Sequence, residues 1–251
     1  MISITILGSG NVAQNLFEAF LAKDDVSIMQ VVGRKRSSLS YFKGRVALAT
    51  FHEELLLADV YIMAISDDAI GSVSSKLSLK GLLVHTSGAV PLSDIKNHER
   101  IGVFYPLQTF TVGKLLDFRN IPICIEANNA ESFQLLKRLG HILSDTVANI
   151  DSNKRKALHL SAVFVNNFTN YMYIIGRDIC VQNELQFSML QPLIQETADK
   201  IRAMSPIDAQ TGPAKRGDLK TLHAHLHLLK EKNQREIYTL LSNSIKARLQ
   251  S

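Results

Sequence analysis

The segment Gly8-Ser9-Gly10-Asn11-Val12-Ala13 separates an apolar run at residues 2–7 from an amphipathic run that begins at Asn11. Glycines at that junction narrow what the chain can become. In a dinucleotide-binding fold the first glycine permits the tight turn after the first strand. The second lets the backbone approach a pyrophosphate, and a small third residue lets helix and strand pack closely. Gly8, Gly10 and Ala13 occupy these three places. The helix that follows directs its unpaired N–H groups and positive dipole end to the same point. Residues 2–7 alternate little, as a strand buried on both faces of a parallel sheet does, and Val12, Leu16, Phe17, Phe20 and Leu21 recur at helical spacing.

The alternation of strand and helix continues to residue 150. Strand-like runs occupy 26–32, closed by Gly33, then 46–49, 60–65, 82–86, 101–105 and 121–125, with helix-like segments at 53–58, 69–77 and 130–139. This order predicts an α/β fold, a doubly wound parallel Rossmann sheet over residues 1–150. Beyond Asp151 strand signals almost vanish and helical stripes replace them. An all-α C-terminal domain is expected over 151–251, with helices over 152–181, 188–204, 218–230 and 234–248 and a loop over 205–217.

The end of the second strand decides which dinucleotide fits. An NAD site places Asp or Glu about 20 residues after the glycines to bind the ribose 2′-hydroxyl. This chain instead reads Gly33-Arg34-Lys35-Arg36-Ser37-Ser38. Guanidinium, ammonium and hydroxyl groups suit a 2′-phosphate, so the expected cofactor is NADP, held by Gly8, Ser9, Gly10, Asn11, Val12, Arg34, Lys35, Arg36 and Ser37. The net charge of +5 fits such an anionic ligand. With Lys and Arg scattered and Trp absent, a small-molecule substrate is expected and no nucleic-acid partner.

Hydrophobic residues at 46% and charged residues at 20% describe a globular chain rather than a disordered one. The start lacks the features of a signal peptide. The longest apolar stretch, 157–176, is interrupted by His159, Asn166, Asn167 and Asn170, so it reads as a buried helix, with no membrane partner. Cys124 and Cys180 show no disulfide or metal spacing, and a cytoplasmic location with both thiols reduced is expected. His223, His225 and His227 lack a completing carboxylate or cysteine, so no metal is expected.

Six stretches carry a family resemblance: GSGNVA, AISDDAI at 64–70, VHTSGAVP at 84–91, GVFYPLQTF at 102–110, ALHLSAVFVNNFTNYMY at 157–173 and TGPAKRGDLKTLHAHLHLL at 211–229. They resemble the Rossmann-like NADP oxidoreductases with a helical C-terminal domain, related to ketopantoate reductase, pyrroline-5-carboxylate reductase and 6-phosphogluconate dehydrogenase. The resemblance implies that NADP also touches Ser66 and Asp67 after the fourth strand and Ser87 and Gly88 after the fifth. Asp67 and Asp68 alternatively cap the helix that follows.

In related dehydrogenases a long helix carries a lysine three or four residues before an asparagine, the amine acting as acid or base and the amide holding the substrate. Here Asn166 and Asn167 match the asparagines, but Ala162 and Val163 stand where the lysine would. His159, one turn earlier, shares a helical face with Asn166, and histidine is the side chain most often used as a general acid, so it is the candidate proton donor. A structural His–Asn bridge is the competing reading. Arg216, in the glycine-flanked stretch 211–218, suits a substrate carboxylate or phosphate, and Asp218 the cap of the next helix.

These residues predict an NADPH-dependent oxidoreductase that transfers hydride to a C=O or C=N of a small anionic substrate. A non-catalytic NADP-binding or regulatory protein is the alternative, favoured by the missing lysine. Phe164, Phe168, Tyr171, Tyr173 and Ile174 spread apolar surface around the long helix, which predicts a homodimer.

Overall fold

The computed structural model describes residues 1–249. Eight strands form one sheet in the order β3-β2-β1-β4-β5-β6-β7-β8. They are β1 Ile2–Leu7, β2 Val26–Gly33, β3 Ala47–Thr50, β4 Val60–Met63, β5 Leu82–His85, β6 Ile101–Pro106, β7 Ile123–Ala127 and β8 Val147–Asn149. The strands up to β6 run parallel, as the sequence predicts for a doubly wound sheet, with the order reversing at β1. The β6–β7 pair is antiparallel and β8 is parallel to β7, so the last two strands run against the rest. The three-residue β8 was too short to leave a periodic trace in the sequence.

Ile4 and Ile6 face one buried cluster with Leu16, Phe17 and Phe20 of α1 (Asn11–Leu21), while Leu7 faces a second with Tyr61 and Met63. Burial on both faces explains why these strands read as continuous apolar runs rather than alternating ones.

The helix expected over 53–58 is absent, and the segment is a bend at Glu53 followed by chain without regular secondary structure. Gln30 accepts from the Leu56 N–H at 3.1 Å and donates to the Glu54 carbonyl, and the Tyr61 hydroxyl bridges the Ala58 N–H and the Leu56 carbonyl. Side chains from the sheet thus take the backbone groups a helix would have paired. The segment expected over 69–77 shortens to a 3-10 turn and α2, Ile70–Ser74. α3, Ala130–Leu143, packs against β6 and β7 with Asn129 as its N-cap.

The chain divides into two compact units, Met1–Asn166 and Asn167–Ser251, whereas the change in sequence texture comes at 151. α4, Ser152–Ala162, lies in the first unit, where Leu158 packs beside Tyr105 and Cys124 and Arg155 is fully buried. The long helix is continuous over 152–182 but contains a π-helical segment, Val163–Phe168, before α5, Thr169–Gln182. The second unit continues with α6 Gln191–Ala203, α7 Pro206–Ala209, α8 Pro213–Arg216, α9 Leu219–Leu228 and α10 Lys232–Leu249. The stretch read as loop, 205–217, therefore holds two single helical turns, each begun by a proline whose fixed φ suits the first helical position. Among the described residues no helix is long and apolar enough to cross a membrane.

Candidate functional site

Gly8 leaves β1 with φ +135°, and a Cβ on it would lie 2.1 Å from the Ala64 carbonyl oxygen. Only glycine fits that position. A Cβ on Gly10, the N-cap of α1, would meet nothing within 4 Å, so its backbone is open to a ligand beside the free amides of the first helical turn. Ala13 is fully buried, meeting the need for a small third residue. Asn11 donates to the Phe110 carbonyl at 3.1 Å. Buried Asn15 donates to the Lys114 carbonyl and accepts from the Leu116 N–H, which seats the chain following β6 along the start of α1. Val12 packs against the core, and Ser9 offers its carbonyl to Gln14. This cradle of open glycine backbone and a helix N-terminus fits a dinucleotide pyrophosphate.

At the end of β2, Arg34, Lys35 and Ser37 are exposed. Arg36 points instead to Glu53, at 2.8 Å. The Thr50 amide hydrogen bond and then Arg36 hold the Glu53 carboxyl below the usual carboxylate range. Of the three cations expected to meet a 2′-phosphate, Arg36 is thus engaged with a carboxylate in this structure.

The ends of β4, β5 and β6 form the other half of the site. Ser66 and Asp67 are exposed after β4, and neither Asp67 nor Asp68 makes a side-chain cap, so capping does not explain them. After β5, the Ser87 N–H donates to His85 Nδ1, and the Ser87 hydroxyl accepts from the Ala89 and Val90 amides, a turn that shapes the loop around Gly88. The Tyr105 hydroxyl, from β6, lies 3.1 Å from His159 Nδ1 of α4, the rings edge to face. A Cβ on Gly88 would fall 2.6 Å from His159 Nδ1 and 2.8 Å from Tyr105 Cζ, so glycine is what lets the loop close on this pair.

Burial pushes the Tyr105 hydroxyl up to about 12, with smaller contributions from Cys124 and Asp67, while Arg155 acts the other way. Tyr105 therefore holds its proton at neutral pH. Arg155, one turn before His159 and wholly buried, pairs with Glu126 of β7 and donates to the Val90 carbonyl and the Ser152 hydroxyl. Ser152 in turn accepts from the Leu92 N–H and donates to Glu126. The Gly88 loop is thereby tied to the helix that carries His159. Burial first, and then Arg155, lower His85 to about 3, so it stays neutral.

Asn166 and Asn167 are exposed within the π segment, whose wider winding breaks the spacing that aligned Asn166 with His159. Asn167 and Arg216 belong to the second unit, where Arg216 is exposed at the end of α8. Asp218 caps α9 through Thr221, as expected. His225 Nδ1 lies 2.8 Å from the Tyr238 hydroxyl. Tyr105, Arg155 and Glu126 were missed by sequence reasoning, although Tyr105 lies in one of the recognised stretches. No local spacing links residues 105, 126 and 155.

A domain family described as NADP oxidoreductase, coenzyme F420-dependent, matches residues 3–86, and a domain of unknown function, DUF2520, matches residues 121–245. Over its whole length the chain is 36% identical to the Bacteroides fragilis protein BF3122, provisionally described as an NADP oxidoreductase, with 98% of each chain covered and a TM-score of 0.88. The chain belongs to the NADP oxidoreductase family.

The cofactor of this oxidoreductase is accordingly NADP, in agreement with the cradle and the basic end of β2. Two more distant structures share its fold. A 1-pyrroline-5-carboxylate reductase from Streptococcus pyogenes is 15% identical with a TM-score of 0.63, each chain covered to 98%. An imine reductase from Myxococcus stipitatus, solved in complex with NADP+, is 14% identical with a TM-score of 0.63, covering 99% of this chain and 93% of its own. No curated protein matches the chain.

Proposed function

We propose that the protein is an NADPH-dependent reductase acting on a C=O or C=N group of a small anionic substrate, with His159 as proton donor. The observation that carries this reading is the His159–Tyr105 pair closed against Gly88, beyond the carboxyl ends of β5 and β6, where ligands of open α/β sheets bind. Bound NADPH supplies the hydride. Gly8 and Gly10 admit the pyrophosphate, Arg34 and Lys35 meet the 2′-phosphate, and Ser66, Asp67, Ser87 and Gly88 line the path toward the nicotinamide. His159 Nε2 has no hydrogen-bond partner among the described residues and is not buried, so it is available to a substrate oxygen or nitrogen. The shared fold of an imine reductase supports including C=N compounds among the acceptors tried.

The test is NADPH oxidation across a panel of carbonyl and imine acids, with the native protein and His159→Asn. The variant should keep its NADPH affinity and lose about 10² to 10⁴ in turnover, the usual contribution of a general acid. Tight NADPH binding with no turnover of any acceptor would favour the alternative, a non-catalytic NADP-binding protein, which the absence of a lysine at 162 and 163 also supports.

The same reading includes a homodimer built by the helical unit. Leu193, Leu228 and Leu240 there are 62%, 75% and 67% exposed, more apolar surface than a small helical unit ordinarily leaves in water. Light scattering at micromolar concentration should give twice the chain mass, and a monomer would remove this part of the proposal.

A further inference from the structure

We propose that Tyr105 works through His159 as its positioning residue and proton reservoir, donating to Nδ1 so that Nε2 carries the proton offered to the substrate. This deepens the reductase reading and rests on it only where turnover is read.

The direction of the hydrogen bond follows from counting donors and acceptors. Tyr105 is 7% exposed, and among the described residues its hydroxyl has no hydrogen-bond partner other than His159 Nδ1. Were Nδ1–H the donor, the Tyr105 proton would have no acceptor, at a cost of about 1–3 kcal/mol for an unsatisfied buried group. With Tyr105 donating, the hydroxyl is satisfied, Nδ1 is the acceptor, and the neutral ring carries its proton on Nε2, the nitrogen that keeps solvent contact. Gly88 closes the Nδ1 side of the ring and leaves no room for another partner there.

The charged and titratable groups acting on Tyr105 suit a relay. Asp67 and Cys124 favour the neutral phenol, and Arg155 favours the phenolate. When hydride adds to a carbonyl carbon, the oxygen takes the Nε2 proton. The Nε2–H bond breaks and an O–H bond forms, while the Tyr105 O–H proton passes to Nδ1. The ring stays neutral throughout, and the positive charge of Arg155 favours the phenolate left behind. After product leaves, Nε2 takes a proton from solvent and the Nδ1 proton returns to Tyr105. The alkoxide produced by hydride addition is a much stronger base than a phenolate, so the transfer runs downhill.

The test begins on the full chain without substrate. Ring nitrogens of histidine-labelled protein are observed by NMR, with His159 assigned from its absence in His159→Asn. The expected result is a neutral His159 with its proton on Nε2, and a shift toward a mixture of tautomers in Tyr105→Phe, which keeps the packed ring and loses only the hydroxyl. Gly88→Ala, which forces the pair apart, should give the same shift. With an acceptor in hand, Tyr105→Phe should lower kcat by about two- to tenfold, the worth of one such hydrogen bond, while leaving the NADPH dissociation constant within about twofold. It should also alter the alkaline limb of the kcat profile, which a purely structural change would leave in place. A proton on Nδ1 in the native protein, or unchanged ring shifts in Tyr105→Phe, would overturn the proposal. The expected tautomer with no turnover of any acceptor would uphold the Tyr105 assignment while sinking the reductase reading.

Discussion

Replacing Glu126 by Leu strands the guanidinium of Arg155, the most deeply placed charge near the candidate site. The Arg155 side chain is 0% exposed and its carboxylate partner 17%. Without Glu126 the guanidinium keeps the Val90 carbonyl at 2.5 Å and the Ser152 hydroxyl at 3.2 Å, and its Nε already lacks a partner. Removing one member of a buried ion pair typically costs about 3–5 kcal/mol, because the remaining charge is neither solvated nor paired. For a chain of this size that corresponds to a fall in Tm of about 6–20 °C. Arg155→Met removes the charge itself. Glu126 then retains some water and the Ser152 hydroxyl, so the loss is nearer about 1.5–3 kcal/mol, the worth of its charged hydrogen bonds. The double variant Glu126→Leu/Arg155→Met leaves no stranded charge and should be more stable than Glu126→Leu alone. Thermal and denaturant unfolding of the four proteins measures this directly. If the double variant equals the sum of the singles, or Glu126→Leu costs less than Arg155→Met, the pair is not acting as a buried ion pair.

Other outcomes follow from the same geometry. Arg34→Ala should weaken NADPH binding by about tenfold or more, the loss of a charge-assisted bond to phosphate, and leave NADH binding unchanged; equal losses for the two cofactors, read by titration, would remove Arg34 from the 2′-phosphate site. Arg36→Ala should have the smaller effect, because its guanidinium already lies on Glu53. His85 is held at about 3 in the fold against 6.5 unfolded, so below pH 6.5 the unfolded chain binds the extra proton. Its contribution to stability is complete above pH 6.5 and drains away as pH falls toward 3, at no more than about 1.4 kcal/mol per pH unit. His85→Gln should therefore flatten the acid side of the stability curve, and an unchanged slope would show that another group controls it.

The sequence by itself determined the elements whose signal is local. Ile2 to Ala13 shows its strand, its turn and its helix start within a dozen residues, because burial on both faces, a positive φ and a small packing residue are each imposed at one position. The basic end of β2 and the cap at Asp218 were legible for the same reason. The tertiary structure decided what depends on partners far along the chain. The segment at 53–58 lost its helix to the side chains of Gln30 and Tyr61. Strand β7 reversed direction against β6, a pairing that apolar content cannot distinguish from a parallel one. His159 could be picked out as a titratable group on a helix, but Tyr105 reaches it across 54 residues, and Arg155 meets Val90 across 65. Periodicity records how deeply a residue is buried, whereas the identity of its neighbour is fixed only when separate strands and helices converge.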